Sequence, residues 1–357
     1  MKRWTVLLAS LLLVLVGCTI KVDQSSSDSE KILVVAGNGG KIERVIREKV
    51  GPRFEKEHGA KIKYIPALSG EILSKVQLQK NSPQIDIAIF VPLDVRRATD
   101  KDLIQPLDTG EVPNLKDVDE TFISVKGMSV PSFGLTIAPA YNTEVFKKEG
   151  IPPIRSWNDL INPKLKGRIA VADIANDWGF AVLYNLANAN GGSIENLEPG
   201  LKKAKELAAY ASTFYKNSTQ MMPAMQQGDA VVGVMGSYAT AELVKQSEVP
   251  LKIVIPKEGA PIQSFHATLV KNAPHEELAK EFLNELASKT SQSEMAEDGF
   301  YPTRPDVEIP SQYKDVLTLG PEDKVFRPDI DQMAKIREGW IDRWNKEVST
   351  ELGKKVR

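Results

Sequence analysis

Short apolar runs alternate with amphipathic stretches along most of the chain, and their spacing predicts its secondary structure. An apolar run at 32–36 predicts a buried strand, and the glycine-rich turn at 37–40 is followed by apolar positions at helical spacing. Further strands are predicted at 61–66 and 85–90, with a helix between them. Because strands and helices alternate at this rhythm, we expect a parallel sheet built from βαβ units.

The same alternation returns in the middle of the chain and indicates a second α/β unit. A strand is predicted at 169–172, and two helices follow at about 178–190 and 194–211. Two more strands are predicted at 231–235 and 252–256. The pattern therefore predicts two α/β units and not one long one.

Two extended segments, 133–141 and 264–271, lead from the first unit to the second and back. A chain that leaves one lobe, builds another and returns has a multi-strand hinge, which suits closure of two lobes around a ligand. We therefore expect an α/β fold with two lobes, in which two mixed or parallel sheets are flanked by helices. The expected boundaries are 31–137 with 264–304 for the first lobe, and 138–263 with 305–350 for the second.

The N-terminus has the pattern of an export signal. Lys2 and Arg3 precede an apolar run at 6–16, which is shorter than the ~20 residues that a membrane-spanning helix needs. An uncleaved anchor, or plain cleavage before a chance cysteine, would be the alternatives. The sequence Leu-Val-Gly-Cys ending at Cys18 resembles a bacterial lipobox. That resemblance implies that residues 1–17 are a signal peptide and that Cys18 receives a lipid.

Composition is consistent with an exported, anchored globular protein. Cys18 is the only cysteine, so no disulfide can form within the chain. Residues 18–30 are polar and rich in serine, which predicts a flexible tether. The chain of 357 residues suggests two domains, and its formal net charge of -1 gives no basic surface for nucleic acid.

Several motifs of the body resemble those of one protein family. They are Phe133-Gly134-Leu135, the segments 140–144, 156–169, 256–260 and 271–275, and Trp340 to Trp344. Together they are similar to the extracellular solute-binding proteins of the polyamine, ferric-iron, thiamine and phosphonate ABC importers, which have the type II periplasmic-binding-protein fold. The resemblance implies a monomer outside the cytoplasm, anchored to the membrane by its lipid, that delivers a small solute to an ABC permease and its ATPase.

In the first unit, candidate ligand contacts lie where loops follow the predicted strands, since ligands of open α/β sheets bind beyond the carboxyl ends of strands. Exposed amides at a helix N-terminus attract anions or polar oxygens. Each position also has a plain structural explanation: a glycine turn for tight packing at 37–40, the N-cap that we predict at Ser69, or the start of a helix at Asp94. The candidates are Asn38, Gly39, Gly40, Ser69, Gly70 and Asp94.

The second unit supplies a corresponding set. A tryptophan beside a carboxylate suits a cationic or ring-bearing solute, and a tyrosine offers an aromatic face with a hydroxyl. The alternatives are a tryptophan that only fills the surface of the lobe, and a rigid hinge turn at 299–305. The candidates are Asn176, Asp177, Trp178, Ser237, Tyr238 and Tyr301.

Motifs for catalysis or metal binding are absent from the sequence. It has no H-E-x-x-H, no cysteine pair and no G-x-S-x-G elbow. Of the three histidines, only His266, in the returning segment, is a candidate for a position in the cleft. We therefore expect a binding protein that uses neither cofactor nor metal. A membrane-anchored extracytoplasmic enzyme and a non-catalytic surface scaffold are the alternatives.

The chemistry of the solute is less well defined. Adjacent tyrosines, on which the family's ferric-iron members rely, do not occur here. The segment 234–237 has no tryptophan, which argues against simple polyamine binding by the family's mode. Four residues, Glu71, Asp94, Asp177 and Trp178, favour a cationic or heterocyclic solute. The glycine loop and helix starts favour an anionic group. A zwitterion or a phosphorylated amine would satisfy both.

Overall fold

The computed structural model describes residues 31–352, apart from the side chain at position 246. The predicted signal peptide, the lipid site at Cys18 and the tether all lie outside these residues. Within the described part of the chain, no helix is both long enough and apolar enough to cross a membrane.

Ten strands and thirteen α-helices form the described part. The strands are β1 (Lys31–Gly37), β2 (Ala60–Pro66), β3 (Ile87–Phe90), β4 (Val130–Asn142), β5 (Ile169–Ala172), β6 (Ala211–Tyr215), β7 (Val232–Gly236), β8 (Leu251–Ile253), β9 (Ala260–Leu269) and β10 (Val325–Phe326). The helices are α1 (Lys41–Val45), α2 (Gly51–His58), α3 (Ser69–Leu78), α4 (Pro92–Asp100), α5 (Thr143–Glu149), α6 (Asp177–Asn188), α7 (Glu198–Ala208), α8 (Ser218–Gln226), α9 (Ser237–Ser247), α10 (Glu276–Leu286), α11 (Lys289–Glu297), α12 (Lys314–Leu317) and α13 (Ile330–Glu347).

The strands form one curled sheet in the order β2-β1-β3-β9-β4-β7-β5-β6, with β10 beside β9 and β8 beside β4. Its two ends are parallel: β1 pairs with β2 and β3, and β5 pairs with β6 and β7. The predicted βαβ units are therefore confirmed at both ends. Each lobe has the sheet that was predicted for it, and the pairing of β4 with β9 joins the two sheets into one.

Strand β4 belongs to both lobes. Its first part, from Val130 to Thr136, pairs with β9, and its second part, from Ile137 to Asn142, pairs with β7 and β8. The long strands β4 and β9 lie where the two extended segments were predicted, and β9 also pairs with β3 of the first lobe. The connection between the lobes is thus made of strands, as the sequence predicted.

Apolar side chains cover both faces of the sheet in the first lobe. In β1, Leu33 and Val35 belong to one core cluster, while Ala36 belongs to a second cluster on the opposite face. In β3, Ile87 and Ile89 join the first cluster. A strand buried on both faces needs a near-continuous apolar run, which explains why these strands were visible in the sequence.

Two local predictions were wrong. The helix expected at 194–211 ends at Ala208, and β6 begins at Ala211. The short strand was missed because only two residues separate it from an amphipathic helix. Ser69 does not cap α3 through its hydroxyl, since the N-cap is Leu68 and the Glu71 carboxylate accepts a hydrogen bond from its amide.

Candidate binding cleft

A cleft of about 610 Å³ lies between the two lobes, at the carboxyl ends of their strands. The first lobe contributes the loops that enter α1, α3 and α4, and the second lobe those that enter α6 and α8. Phe265 of β9 also lines the cleft. This is the position that open α/β sheets give to a ligand, because the strand ends of each lobe face the same edge.

Most of the predicted site residues meet in this cleft. Ten of the twelve line it: Asn38, Gly39, Gly40, Ser69, Gly70, Asp94, Asn176, Asp177, Trp178 and Tyr238. Ser237 is fully buried beneath the cleft, and its hydroxyl accepts a hydrogen bond from the amide of Thr136 at 3.2 Å. Tyr301 lies at the hinge, where its backbone pairs with Gly134 and its ring packs on Phe122. Neither of these two lines the cleft.

On the first-lobe side, Asp94 is held by its own neighbours. The Ser69 hydroxyl donates to Asp94 Oδ2 at 2.6 Å and accepts from the Val91 amide at 3.1 Å. Arg97, one turn further along α4, lies 3.3 Å from the other carboxylate oxygen. Asp94 is only 6% exposed, so this wall presents a carboxylate that is fixed in place and partly neutralised.

On the second-lobe side, Asp177 forms an ion pair with Arg337, at 2.7 Å between Oδ1 and Nη1. Arg337 comes from α13 and also donates to the carbonyl of Ala175 at 2.9 Å. Burial raises the pKa of the Asp177 carboxyl, and the charge of Asp94 adds to the rise, whereas Arg337 opposes it. Asp94 and Asp177 thus place one carboxyl on each wall of the same cleft.

Aromatic rings form the apolar part of the cleft. Trp178 and Tyr238 meet edge to face with 5.8 Å between their ring centroids, and Tyr238 meets Phe265 at 6.4 Å. Gly236, which ends β7, has no room for a side chain because a Cβ there would lie 2.7 Å from the Trp178 ring. Burial raises the pKa of the Tyr238 hydroxyl well above its ordinary value, so this group stays neutral.

Polar groups that lack a protein partner also lie at the cleft. The amides of Trp178 and Gln220 at the starts of α6 and α8 are not among them, because they already donate to the side chains of the caps Asn176 and Asn217. The Asn38 Oδ1 atom is buried without a hydrogen-bond partner. Lys216, just before α8, has no ion-pair partner among the described residues. These groups can bind a polar solute without breaking an existing contact.

Four charged residues of the cleft were not predicted from the sequence. They are Arg97, Asp173, Lys216 and Arg337. Arg97 lies one turn after Asp94 in the same helix, so its helical spacing could have indicated it. Lys216 directly precedes the Asn217 that caps α8, and the unrecognised strand β6 hid this position. Arg337 approaches from the C-terminal helix, and no local signal places it near Asp177.

The structure places His266 away from the cleft. It is fully buried, and its ring nitrogens contact the hydroxyls of Ser124, Ser129 and Ser264 at 2.8, 3.0 and 3.2 Å. Burial lowers the pKa of His266 to about 3, so the imidazole is neutral at ordinary pH. Residues 31–352 contain no group of three or more histidine, cysteine or acidic side chains that could hold a metal ion.

Comparisons with known proteins agree with this geometry. The family model described as bacterial extracellular solute-binding protein matches residues 49–318. The chain is 25% identical over 293 residues to the spermidine/putrescine-binding periplasmic protein of Salmonella typhimurium, which covers 79% of this chain and 80% of that protein. It is 26% identical to the solved structure of an ABC transporter from Clostridium perfringens, with a TM-score of 0.72 over 88% of this chain and 99% of that chain.

A further solved structure supports the fold alone. The periplasmic binding protein AfuA from Actinobacillus pleuropneumoniae, solved with fructose-6-phosphate bound, is 24% identical and has a TM-score of 0.75. The match covers 90% of this chain and 99% of that one. The predicted resemblance to the solute-binding components of ABC importers is confirmed, and the chain belongs to the bacterial extracellular solute-binding protein family.

Proposed function

We propose that this solute-binding component captures a small solute carrying both a cationic and an anionic group, and delivers it to an ABC permease with its ATPase. The observation that supports this most is the pairing of opposite charges in each wall of the cleft. Asp94 lies beside Arg97 in the first lobe, and Asp177 lies beside Arg337 in the second. The cationic group of a zwitterionic solute can pair with the aspartates and its anionic group with the arginines, so no buried charge is left unpaired.

The cationic end of the solute is expected at the carboxylates. The charge of Asp94 adds to the rise in the pKa of the Asp177 carboxyl, and a ligand cation at the two carboxylates would oppose that rise. The Trp178 ring lines the same part of the cleft, and ring faces attract cations. This arrangement supports an amine or another cationic nitrogen at this end.

The anionic end is expected at the start of α8. Lys216 and the side chains of Asn217, Ser218 and Thr219 line the cleft there, and the unpaired amides of a helix N-terminus favour negative charge. Arg337 lines the same cleft from α13. A carboxylate, phosphate or phosphonate suits such donors, and a polyamine alone would leave them without a partner.

A thermal-shift screen of the purified protein tests the solute class. Matched sets would hold aminoalkyl phosphonates and amino acids, the same compounds without the amine, and polyamines without the anionic group. A zwitterion at 100 times its dissociation constant should stabilise the protein by about 2.7 kcal/mol. Stabilisation by polyamines or by simple anions equal to that by any zwitterion would contradict the proposed solute class.

Variants then test the residues. Trp178→Ala and Tyr238→Ala should each weaken binding at least tenfold, and Arg337→Gln should weaken it mainly for solutes with an anionic group. Arg343→Gln is the matched control, because Arg343 lies on the same helix and pairs with Glu198 and Glu347 outside the cleft. Unchanged affinity in the Trp178 and Tyr238 variants would mean that the site lies elsewhere.

The cellular setting completes the proposal. Residues 1–17 act as the signal peptide, Cys18 receives the lipid, and 18–30 tether a monomer to the outer face of the membrane. The lobes are 31–137 with 264–304 and 138–263 with 305–350, and the protein catalyses no reaction on its solute. Metabolic labelling with radioactive palmitate tests the anchor: the native chain should be labelled, and the Cys18→Ser variant should be unlabelled and released from membranes.

A further inference from the structure

The two lobes touch beside the cleft through two helices, α1 of the first lobe and α9 of the second. Lys41 Nζ donates a hydrogen bond to the carbonyl of Tyr238 at 3.2 Å. One turn further along α1, Arg44 Nη2 lies 2.8 Å from Glu242 Oε1. Lys41, Arg44 and Glu242 do not line the cleft, yet Tyr238 does.

The ammonium group of Lys41 is buried in this contact. The residue is 6% exposed, and its Nζ lies 5.8 Å from the centre of the Phe300 ring. Four charged groups act on this ammonium: Glu242 and Lys245 on α9, Arg44 on α1, and Asp298 after α11. The two carboxylates raise the pKa of Lys41 and the two cations lower it, so their effects partly cancel. The loss of hydration is therefore the main influence on this pKa.

Burial therefore lowers the pKa of Lys41 to about 8, against the opposing attraction of Glu242 and Asp298. The burial depends on both lobes, because Tyr238 and Glu242 belong to the second and Lys41 to the first. Separation of α1 from α9 would return the ammonium to water, where a lysine has a pKa of about 10.4.

We propose that Lys41 and Glu242 are positioning residues that set how readily the two lobes close, although neither touches the solute. The contact between α4 and α13 is a weaker candidate for this role. There Arg96 pairs with Asp331 and Arg97 with Glu338, and all four side chains are exposed. Exposed pairs contribute little and are screened by salt. The proposal requires two closing lobes, but it does not depend on which solute they hold.

The sign of the pH effect follows from linkage. Because the pKa of Lys41 is lower when the lobes are together, the protonated lysine favours separated lobes and the neutral lysine favours closed ones. With pKa values of about 8 in the closed form and about 10.4 in the open form, the equilibrium constant for closure rises about tenfold between pH 7 and pH 9.

Small-angle X-ray scattering of the solute-free protein measures this equilibrium, because closure reduces the radius of gyration. The wild-type protein should become more compact from pH 7 to pH 9, with the closed-to-open ratio rising about tenfold. Lys41→Met should be more closed at pH 7 and should lose the pH response. Lys61→Met is the control, since Lys61 pairs with Glu55 within the first lobe. It should behave like the wild type.

Two further variants guard against a folding defect. Lys41→Arg keeps its charge at every pH, so it should stay folded by circular dichroism and lack the rise in compactness. Glu242→Gln leaves Lys41 in place but removes an attraction that favours its charge, so the rise should occur at lower pH. A wild-type ratio that does not change between pH 7 and pH 9, or a normal pH response in both Lys41 variants, would overturn the proposal. No solute is present, so neither result bears on the proposed solute class.

Discussion

The buried histidine in the hinge strand β9 should make the stability of the protein depend on pH. His266 is fully buried, contacts three serine hydroxyls, and has its pKa lowered to about 3 by burial. In the unfolded chain its pKa is about 6.5. The perturbation we consider is His266→Gln, which keeps a polar group of similar length and removes the titration.

The magnitude follows from the two pKa values. Since the folded pKa is the lower one, the folded state prefers the neutral ring, so its contribution is fully present above pH 6.5. It is lost as the pH falls from 6.5 toward 3. Between pH 7 and pH 5 the unfolded state gains about 0.7 of a proton at this residue, and the folded state gains almost none. The free energy of unfolding should therefore fall by about 2 kcal/mol from His266 alone.

Urea denaturation at pH 7 and pH 5 measures this loss. Other groups also titrate in this range, so the quantity to compare is the change between the two pH values in the wild type and in His266→Gln. The wild type should lose about 2 kcal/mol more than the variant. An equal loss in the two proteins would refute the reasoning, because it would mean that His266 can take up a proton without leaving its buried site.

Two further predictions concern the scaffold around the cleft. Gly134→Ala should lower the free energy of unfolding by about 1–3 kcal/mol, since its Cβ would lie 2.5 Å from the Tyr301 carbonyl oxygen. Gly339→Ala, at an exposed position of α13, would meet nothing within 4 Å and should raise the free energy of unfolding by about 0.5–1 kcal/mol. Trp157→Phe should cost about 1–3 kcal/mol, because it leaves the Gly259 carbonyl without its 2.9 Å bond from the indole, yet solute affinity should not change. Urea denaturation measures the free energies of unfolding, and titration calorimetry measures the solute affinity. An unchanged free energy of unfolding in Gly134→Ala, or a weakened solute affinity in Trp157→Phe, would contradict these predictions.

The sequence predicted the cleft because strand ends and helix starts leave local signals. Asn38 to Gly40 follow an apolar strand, and Asn176 to Trp178 follow another, so the sequence alone indicates both loops. Ser237 also follows a strand, but it is the first residue of its helix and lies underneath the cleft. Pattern alone does not distinguish a residue on the open side of a strand end from one on the packed side.

The sequence wrongly predicted Tyr301 in the cleft and did not predict Arg337 there, for a different reason. The position of Tyr301 depends on its backbone pairing with Gly134, and that of Arg337 on the packing of α13. Both are contacts between residues about 160 positions apart in the chain. Hydrophobic periodicity reports which face of a helix is buried, but it does not report which distant loop that face will meet.

The position of α13 links the charge of the cleft to the arrangement of the lobes. At its C-terminal end, Trp344 is buried against Phe214 of the second lobe. In its first turn Asp331 pairs with Arg96 of the first lobe, and at its middle Glu338 pairs with Arg97. Arg337, next to Glu338, forms the ion pair with Asp177. A helix fixed to one lobe and weakly tied to the other must change its first-lobe contacts when the lobes move, and Arg97 is also the partner of Asp94. Closure should therefore alter the charge balance at Asp94, and we expect the charge of a bound solute to bias closure through α13.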